Sequence, residues 1–141
     1  MKPIERFKDN PSGIITEENT NRVWLPKDSF QDLGKWQNWS EVQDYARLMN
    51  QVYAGGLSGW RLPTKDEALG LYDIGLSHKD WTGEKVHIHP FFVEKCSYYI
   101  WTCEVNDQEQ ALHLNLRDGS TEYIDKTERE LQAVRLTVLL S

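Results

Sequence analysis

Long apolar runs, clusters of basic side chains and cysteines are all scarce in this chain of 141 residues. No apolar stretch approaches the roughly 18 residues of a membrane span, so we expect no membrane insertion. The first ten residues, MKPIERFKDN, also lack the apolar centre of a secretory signal. Taken alone, the sequence indicates a cytoplasmic protein. Prior removal of a leader would leave the same pattern, so the localisation stays open.

Basic charge is limited as well, because 22 acidic side chains outnumber 16 basic ones and give a formal net charge of −6. A surface that follows a phosphate backbone needs clustered Lys and Arg, which the chain lacks. We therefore expect no nucleic-acid partner. The acidic balance also argues against heparin-like polyanions as ligands.

The chain has only two cysteines, Cys96 and Cys103, which are too few to hold a fold together. Their spacing matches no zinc or redox motif, and we expect no cofactor. Packing as small apolar side chains, a single disulfide and a functional thiol pair all stay open.

Aromatic residues, by contrast, are abundant, with six Trp, six Tyr and four Phe. This content and the chain length predict one globular domain over residues 1–141. Within residues 13–26, β-branched and aromatic residues flank a polar tip, which predicts a hairpin. Ser40 and Gln43 have the spacing of a capping box ahead of an apolar stripe, which predicts a helix from about residue 41 to 53.

A second short helix follows a segment of four residues: Trp60, Arg61, Leu62 and Pro63. Thr64 and Glu67 form another capping box, and Gly75 is expected to end this helix. Because helix-start signals follow the segment directly, we interpret it and Glu67 as a structural motif in which Arg61 is tied to carboxylates or carbonyls.

Residues 76–97 show no periodicity, and long loops in compact domains are often functional or mobile. The remaining chain alternates in the manner of strands. One face of the first strand would carry Tyr99, Trp101, Cys103 and Val105. The next strand would place His113 on the opposite face from its leucines, an Asp118-Gly119 turn would follow, and residues 134–140 would form a closing strand. This order predicts an α+β fold with antiparallel strands.

The chain resembles the Lcl C-terminal domain family, a bacterial family of unknown function, over about residues 6–138. The motifs that carry the resemblance are FKDN at 7–10, NWSEVQDYA at 38–46, WRLPTKDEAL at 60–69, HPFF at 89–92 and YYIWT at 98–102. The resemblance implies a C-type-lectin-like fold, in which two short helices flank antiparallel sheets and the first and last strands are adjacent. Relatives on this fold include carbohydrate binders, receptor-binding proteins and formylglycine-generating enzymes. The resemblance to this family also implies a cell-surface or secreted location.

Exposed aromatic side chains in loops are candidates for ligand contact, since aromatics stack on sugars or anchor protein partners. Trp36, Trp39 and Trp81 lie in or beside loops, and Trp81, inside the 76–97 loop, is the strongest candidate.

Polar candidates lie in the same part of the chain. His87 and His89 would face the same way in an extended segment, with His78 as a possible third metal ligand, but no complete metal site is recognisable. Asn106 and Asp107 match half of a calcium-dependent lectin site, and the other half is absent. All of these side chains except His78 are retained as candidate ligand-binding residues, and none as a metal ligand.

These observations favour a non-catalytic recognition module that binds a protein or glycan through the 76–97 loop and the C-terminal strands. A metal-dependent enzyme of the formylglycine-generating type, built on the histidines or cysteines, is one alternative. A structural or assembly subunit is another, and the oligomeric state stays open.

Overall fold

A computed structural model describes residues 6–18 and 20–140 and confirms an α+β architecture with few helices and with antiparallel and mixed sheets. The expected domain over residues 1–141 includes residues 1–5, 19 and 141, which lie outside the described part. Two four-stranded sheets and a two-stranded hairpin make up the β-structure of that part.

The N-terminal sheet contains β1 (Phe7–Asp9), β2 (Ile15–Glu17), β3 (Arg22–Trp24) and β10 (Thr137–Leu139), in the order β1-β2-β3-β10. β2 and β3 form the predicted hairpin. The expected adjacency of first and last strands is wrong, because β10 pairs with β3 and not with β1. A tight turn folds β1 onto β2 at one edge of the sheet, so the edge left for the returning chain is that of β3.

The described residues form three α-helices, α1 (Ser29–Leu33), α2 (Trp39–Gln51) and α3 (Lys65–Leu69), and a 3₁₀ turn at Ala54–Gly56. α2 begins two residues earlier than predicted because the capping box is Asn38 with Glu41, not Ser40 with Gln43. Both pairs have the required spacing, but a carboxylate in the first turn also complements the positive end of the helix dipole.

α3 starts as predicted, with the Thr64 side chain accepting a hydrogen bond from the Glu67 amide and the Glu67 carboxylate accepting one from the Thr64 amide. The helix ends at Leu69, however, and not near Gly75. Gly70 follows immediately, and glycine is a poor helix former, so the chain continues only as turns.

The 76–97 segment is more ordered than its lack of periodicity suggests. It contains the short antiparallel pair β4 (His78–Lys79) and β5 (Lys85–Val86). Ile88, Phe92 and Cys96 in this segment are completely buried. Although they recur every four residues, they lie among turn and loop residues and not on a helix, so pattern reading does not assign them to the core.

The C-terminal sheet has the order β8-β7-β6-β9. Its strands are β6 (Tyr99–Val105), β7 (Gln110–Asn115), β8 (Thr121–Asp125) and β9 (Gln132–Ala133), and β9 runs parallel to β6. Of the predicted closing strand over residues 134–140, only 137–139 form a strand, which is β10, and β9 lies just before the predicted range. The predicted Asp118-Gly119 turn joins β7 to β8, and Gly119 has a positive φ of 78°. A Cβ at that position would lie 2.8 Å from the Tyr72 ring, so the turn needs glycine there.

The predicted shared face of β6 is interrupted by a bulge between Trp101 and Val105. Trp101 is buried, whereas Cys103 and Val105 are exposed, so packing does not account for Cys103 as expected. Both cysteines are free thiols, and Cys96 is the buried one.

The core consists of two clusters of buried apolar residues. One cluster lies between the N-terminal sheet, α3 and the C-terminal sheet, and its largest members are Phe7, Trp24, Phe92, Tyr98 and Leu114. The other packs α2 against the same sheets, and its largest members are Tyr45, Trp60, Trp101, Leu62 and Leu136. Together the clusters fix the loops that carry the candidate site.

Candidate functional site

Three aromatic rings from two separate parts of the chain meet at the surface. The Phe30 ring stacks on Trp36 with 3.9 Å between centroids and an interplanar angle of 7°. Trp36 meets Trp81 edge to face at 5.4 Å. Trp81 remains 42% exposed, and Phe30 and Trp36 are half-buried. We call Phe30, Trp36 and Trp81 the aromatic surface.

The short helix α1 positions the first part of this surface. Asp28 caps α1 in a capping box with Gln31, and Gly34 ends it in the left-handed conformation. The Gln31 amide group then donates hydrogen bonds to the carbonyls of Val93 and Glu94, at 3.0 and 2.9 Å. α1 is thereby attached to the 76–97 segment, which explains how residues about fifty positions apart come into contact.

Asp80 positions the second part. Its carboxylate is fully buried and accepts hydrogen bonds from the amides of Thr82 and Glu84, at 2.9 and 3.1 Å. Its other oxygen pairs with Arg117 Nε at 2.9 Å. The Trp81 amide donates to the Cys96 carbonyl at 2.9 Å. The backbone around Trp81 is therefore held from three directions while its indole stays exposed.

A cleft of about 400 Å³ lies on the same β4–β5 hairpin. Its walls carry hydrogen-bonding groups of several kinds: Ser77, His78, Lys79, Lys85 and Glu94. Gly83 also lines it and has a positive φ of 88°. The cleft therefore offers a hydroxyl, amines, an imidazole and a carboxylate on the hairpin whose turn carries Trp81.

The histidines do not converge. His78 Nε2 lies 2.7 Å from the Phe92 carbonyl, and His87 Nδ1 lies 2.8 Å from the Leu76 carbonyl. His89 is buried and packs against Phe7 and Phe91. Within residues 6–18 and 20–140, no group of three or more His, Cys, Asp or Glu could hold a metal ion.

Asn106 and Asp107 lie in the β6–β7 hairpin turn and not at the aromatic surface. The Asn106 side-chain oxygen accepts hydrogen bonds from the amides of Gln108 and Gln110, at 2.9 and 3.2 Å. Asp107 is exposed. Asn106 thus stabilises the turn, and neither residue lines the cleft beside Trp81.

Trp60 and Arg61 make hydrogen bonds within the fold and not with the aromatic surface. Trp60 is buried, and its indole donates to the Ala54 carbonyl at 3.0 Å. Arg61 binds both oxygens of Glu67, at 2.7 and 2.8 Å. This guanidinium is the main cause that lowers the pKa of Glu67 to about 2. Leu62 and Pro63 are buried next to them.

Trp39 differs from the other loop aromatics. Its indole donates to the Thr102 carbonyl at 3.0 Å, and Lys126 lies over its ring at 4.9 Å. It is the first residue of α2, packs on the core and is no part of the aromatic surface.

A second cleft of about 290 Å³, which no sequence motif indicates, opens on the C-terminal sheet. His113 forms part of its lining. Alternation along β7 predicts that His113 lies on the face away from the buried leucines and is exposed. His113 is nevertheless only 6% exposed, because the Tyr99 ring stacks on it with 4.4 Å between the ring centroids. The signal that could find this cleft is a histidine in a strand followed by three glutamates, Glu122, Glu128 and Glu130.

The fold and its surface define an α+β domain with an exposed aromatic cluster and polar clefts. The chain belongs to the Lcl C-terminal domain family, whose model matches residues 13–136. No curated protein and no solved structure matches it. Of the helices in the described part, none is long and apolar enough to cross a membrane.

Proposed function

We propose that this domain is a non-catalytic recognition module with a C-type-lectin-like fold, and that it binds a glycan through the aromatic surface and the adjoining cleft. Short helices packed on antiparallel sheets are consistent with such a fold, and the last strand returns to the N-terminal sheet, although it pairs with β3 and not with β1. The family assignment by itself names no ligand, so the argument depends on the surface.

One observation carries the proposal: Trp81 is 42% exposed although the backbone on both sides of it is fixed by buried contacts. An aromatic side chain held in this way loses little conformational entropy when a ligand packs on it. The indole and the stacked pair beneath it present an apolar face, and the C–H face of a sugar ring is complementary to such a surface.

The cleft supplies the polar half of the interaction. Sugar hydroxyls both donate and accept hydrogen bonds, and the cleft offers Lys79, Lys85 and Glu94 on its walls. Since the chain has a net charge of −6, we expect a neutral or weakly charged glycan. Binding that weakened steeply with salt would contradict this choice of ligand.

A glycan array probed with the wild-type domain and with Trp81→Ala tests the proposal. We expect at least about tenfold weaker binding by the variant, because truncation of a central tryptophan removes a main anchor. Tyr123→Ala is the matched control, since Tyr123 is 41% exposed and lies outside the cleft. The melting temperature of Tyr123→Ala should agree with that of the wild type, and Trp81→Ala, which loses its contact with Trp36, should remain folded at the assay temperature. Absence of glycan binding, or equal binding by Trp81→Ala, would refute the proposal.

A protein ligand is the second candidate. Phe91 and Val93 on the same segment are exposed apolar side chains, at 41% and 38%, and apolar rims are common in protein interfaces. A partner captured from a lysate by the wild type and by Tyr123→Ala, but not by Trp81→Ala, together with a blank glycan array, would favour it.

A further inference from the structure

The cleft on the C-terminal sheet shares no lining residue with the cleft beside Trp81, and nothing in the proposed function uses it. Its floor is the pair of stacked rings of Tyr99 and His113, 4.4 Å apart and 8° from parallel. Cross-strand pairing places Trp101 and Glu122 directly opposite His113. The floor is therefore part of the sheet and is rigid.

His113 is the unusual member of this floor. It is 94% buried, and its Nδ1 has no hydrogen-bond partner among the described residues. Buried polar atoms in folded proteins are nearly always paired, so an unpaired one needs an explanation. Burial lowers the pKa of His113 to about 4. At neutral pH the ring is therefore uncharged and does not repel a cation in the cleft.

Three carboxylates surround this floor: Glu122, Glu128 and Glu130. None of them forms an ion pair with any residue in the described part of the chain. The nearest basic residues in sequence are engaged elsewhere, since Arg129 pairs with Glu41 at 3.4 Å and Lys126 with Glu109 at 3.7 Å. No Lys or Arg lines the cleft. The cleft is thus acidic and uncompensated.

The remaining walls are apolar, formed by Ile124 and Leu131. A bare metal ion does not match such a lining, and within the described residues no set of side chains is arranged to hold one. An aliphatic stem that ends in an ammonium matches these components: the stem packs on the apolar walls beside the stacked rings, and its three N–H groups reach the carboxylates.

We propose that this cleft binds the side chain of a lysine in a basic segment of a partner protein. This site is independent of the aromatic surface, so the domain would contact two different ligands, or two parts of one assembly. The acidic net charge of the chain would accelerate encounter with such a segment.

The test is a nuclear magnetic resonance titration of the ¹⁵N-labelled domain with Nα-acetyl-lysine methylamide. The norleucine analogue, which has the stem without the ammonium, is the control ligand. We expect saturable shifts at His113, Tyr99 and Ile124 with the lysine analogue only. The double variant Glu128→Gln/Glu130→Gln should bind at least about tenfold more weakly. Asp66→Asn/Asp107→Asn, which changes net charge equally at exposed sites outside the cleft, should bind as the wild type does.

Four results would overturn the proposal: no saturable shift in the wild type, equal shifts with the norleucine analogue, unchanged binding by the Glu128/Glu130 variant, or a saturable shift of His113 with Zn²⁺ alone at lower concentration. Trp81→Ala should bind the lysine analogue normally. Failure of this proposal is therefore distinguishable from failure of the glycan proposal.

Discussion

Replacement of Glu67 by glutamine should cost stability and leave the ligand surface intact. The Glu67 carboxylate accepts hydrogen bonds from the two terminal guanidinium nitrogens of Arg61 and from Arg22 Nε at 3.1 Å. Arg22 in turn pairs with Glu17 at 2.9 Å, and Glu17 accepts a hydrogen bond from the Trp24 indole at 3.0 Å. This network joins α3 to the N-terminal sheet. Glutamine still fits the capping box, so the variant removes the charge and spares the helix start.

The size of the effect follows from the pKa of Glu67, which lies at about 2 in place of an ordinary 4.5. At about 1.4 kcal/mol per pKa unit, this difference corresponds to about 3 kcal/mol of folding free energy. The Arg61 side chain is 42% exposed, so water screens the pair. We therefore expect Glu67→Gln to lower the free energy of unfolding by about 2 kcal/mol at neutral pH.

The effect should depend on pH in one direction only. Because the pKa of Glu67 is lower in the folded than in the unfolded chain, the carboxylate contributes its full stabilisation above about pH 5. That contribution is lost as the pH falls towards about 2. Urea unfolding followed by tryptophan fluorescence, at about pH 7 and in steps down to about pH 2.5, measures it.

Asp66→Asn is the control, since Asp66 lies in the same first helical turn but is exposed. It should change stability by less than about 0.5 kcal/mol. If Glu67→Gln unfolds at the wild-type urea concentration at neutral pH, or if its deficit does not shrink in acid, the ion-pair argument is wrong. A loss of ligand binding with unchanged stability would instead place this motif in the binding site.

Two further predictions concern the 76–97 segment. Arg117→Met should lower the free energy of unfolding by about 2 kcal/mol, because it leaves the buried Asp80 carboxylate without its cation, and urea unfolding that matches the wild type would contradict this. In the folded protein, an absorbance assay with an aromatic disulfide reagent should detect one fast thiol, Cys103. Cys96 is buried with its pKa raised to about 11 and should react only on unfolding, so two thiols reacting at equal rates would be inconsistent with the structure.

Sequence motifs predicted the structure well where the stabilising hydrogen bonds join residues close together in sequence. The Thr64 and Glu67 capping box specifies the start of α3 because both hydrogen bonds form within four residues. The same rule misplaced the start of α2, since Asn38 with Glu41 and Ser40 with Gln43 both satisfy it. A four-residue pattern cannot decide between two overlapping boxes.

Alternation along a strand did not predict burial correctly where other side chains cover the face of the strand that is expected to meet solvent. Alternation along residues 134–140 would place Arg135 on the face opposite Val134 and Leu136, yet Arg135 is completely buried. Its guanidinium lies 4.8 Å from the Phe92 ring centroid and donates to the Pro26 carbonyl at 2.9 Å. His113 is covered in the same way by Tyr99. The residues that cover Arg135 and His113 are distant in sequence or lie on a neighbouring strand. The pattern of a single strand therefore cannot predict this burial.

The candidate site was found only in part for a related reason. Trp81 could be selected from its position in a loop, whereas its stacking with Trp36 and Phe30 depends on Gln31 bonding to the backbone of residues 93 and 94. Phe30 gave no signal of its own. Tertiary hydrogen bonds between two irregular segments have no sequence period.

The contacts of the 76–97 segment also bear on how the domain would bind. Where a loop becomes ordered on binding, that ordering reduces affinity. Here Ile88, Phe92 and Cys96 anchor the segment in the core, and the buried Asp80 carboxylate fixes the turn that carries Trp81. The entropy of ordering is therefore lost during folding and not during binding. Exposed side chains such as Lys79 and Lys85 can then vary to change specificity, while the backbone that presents them stays the same.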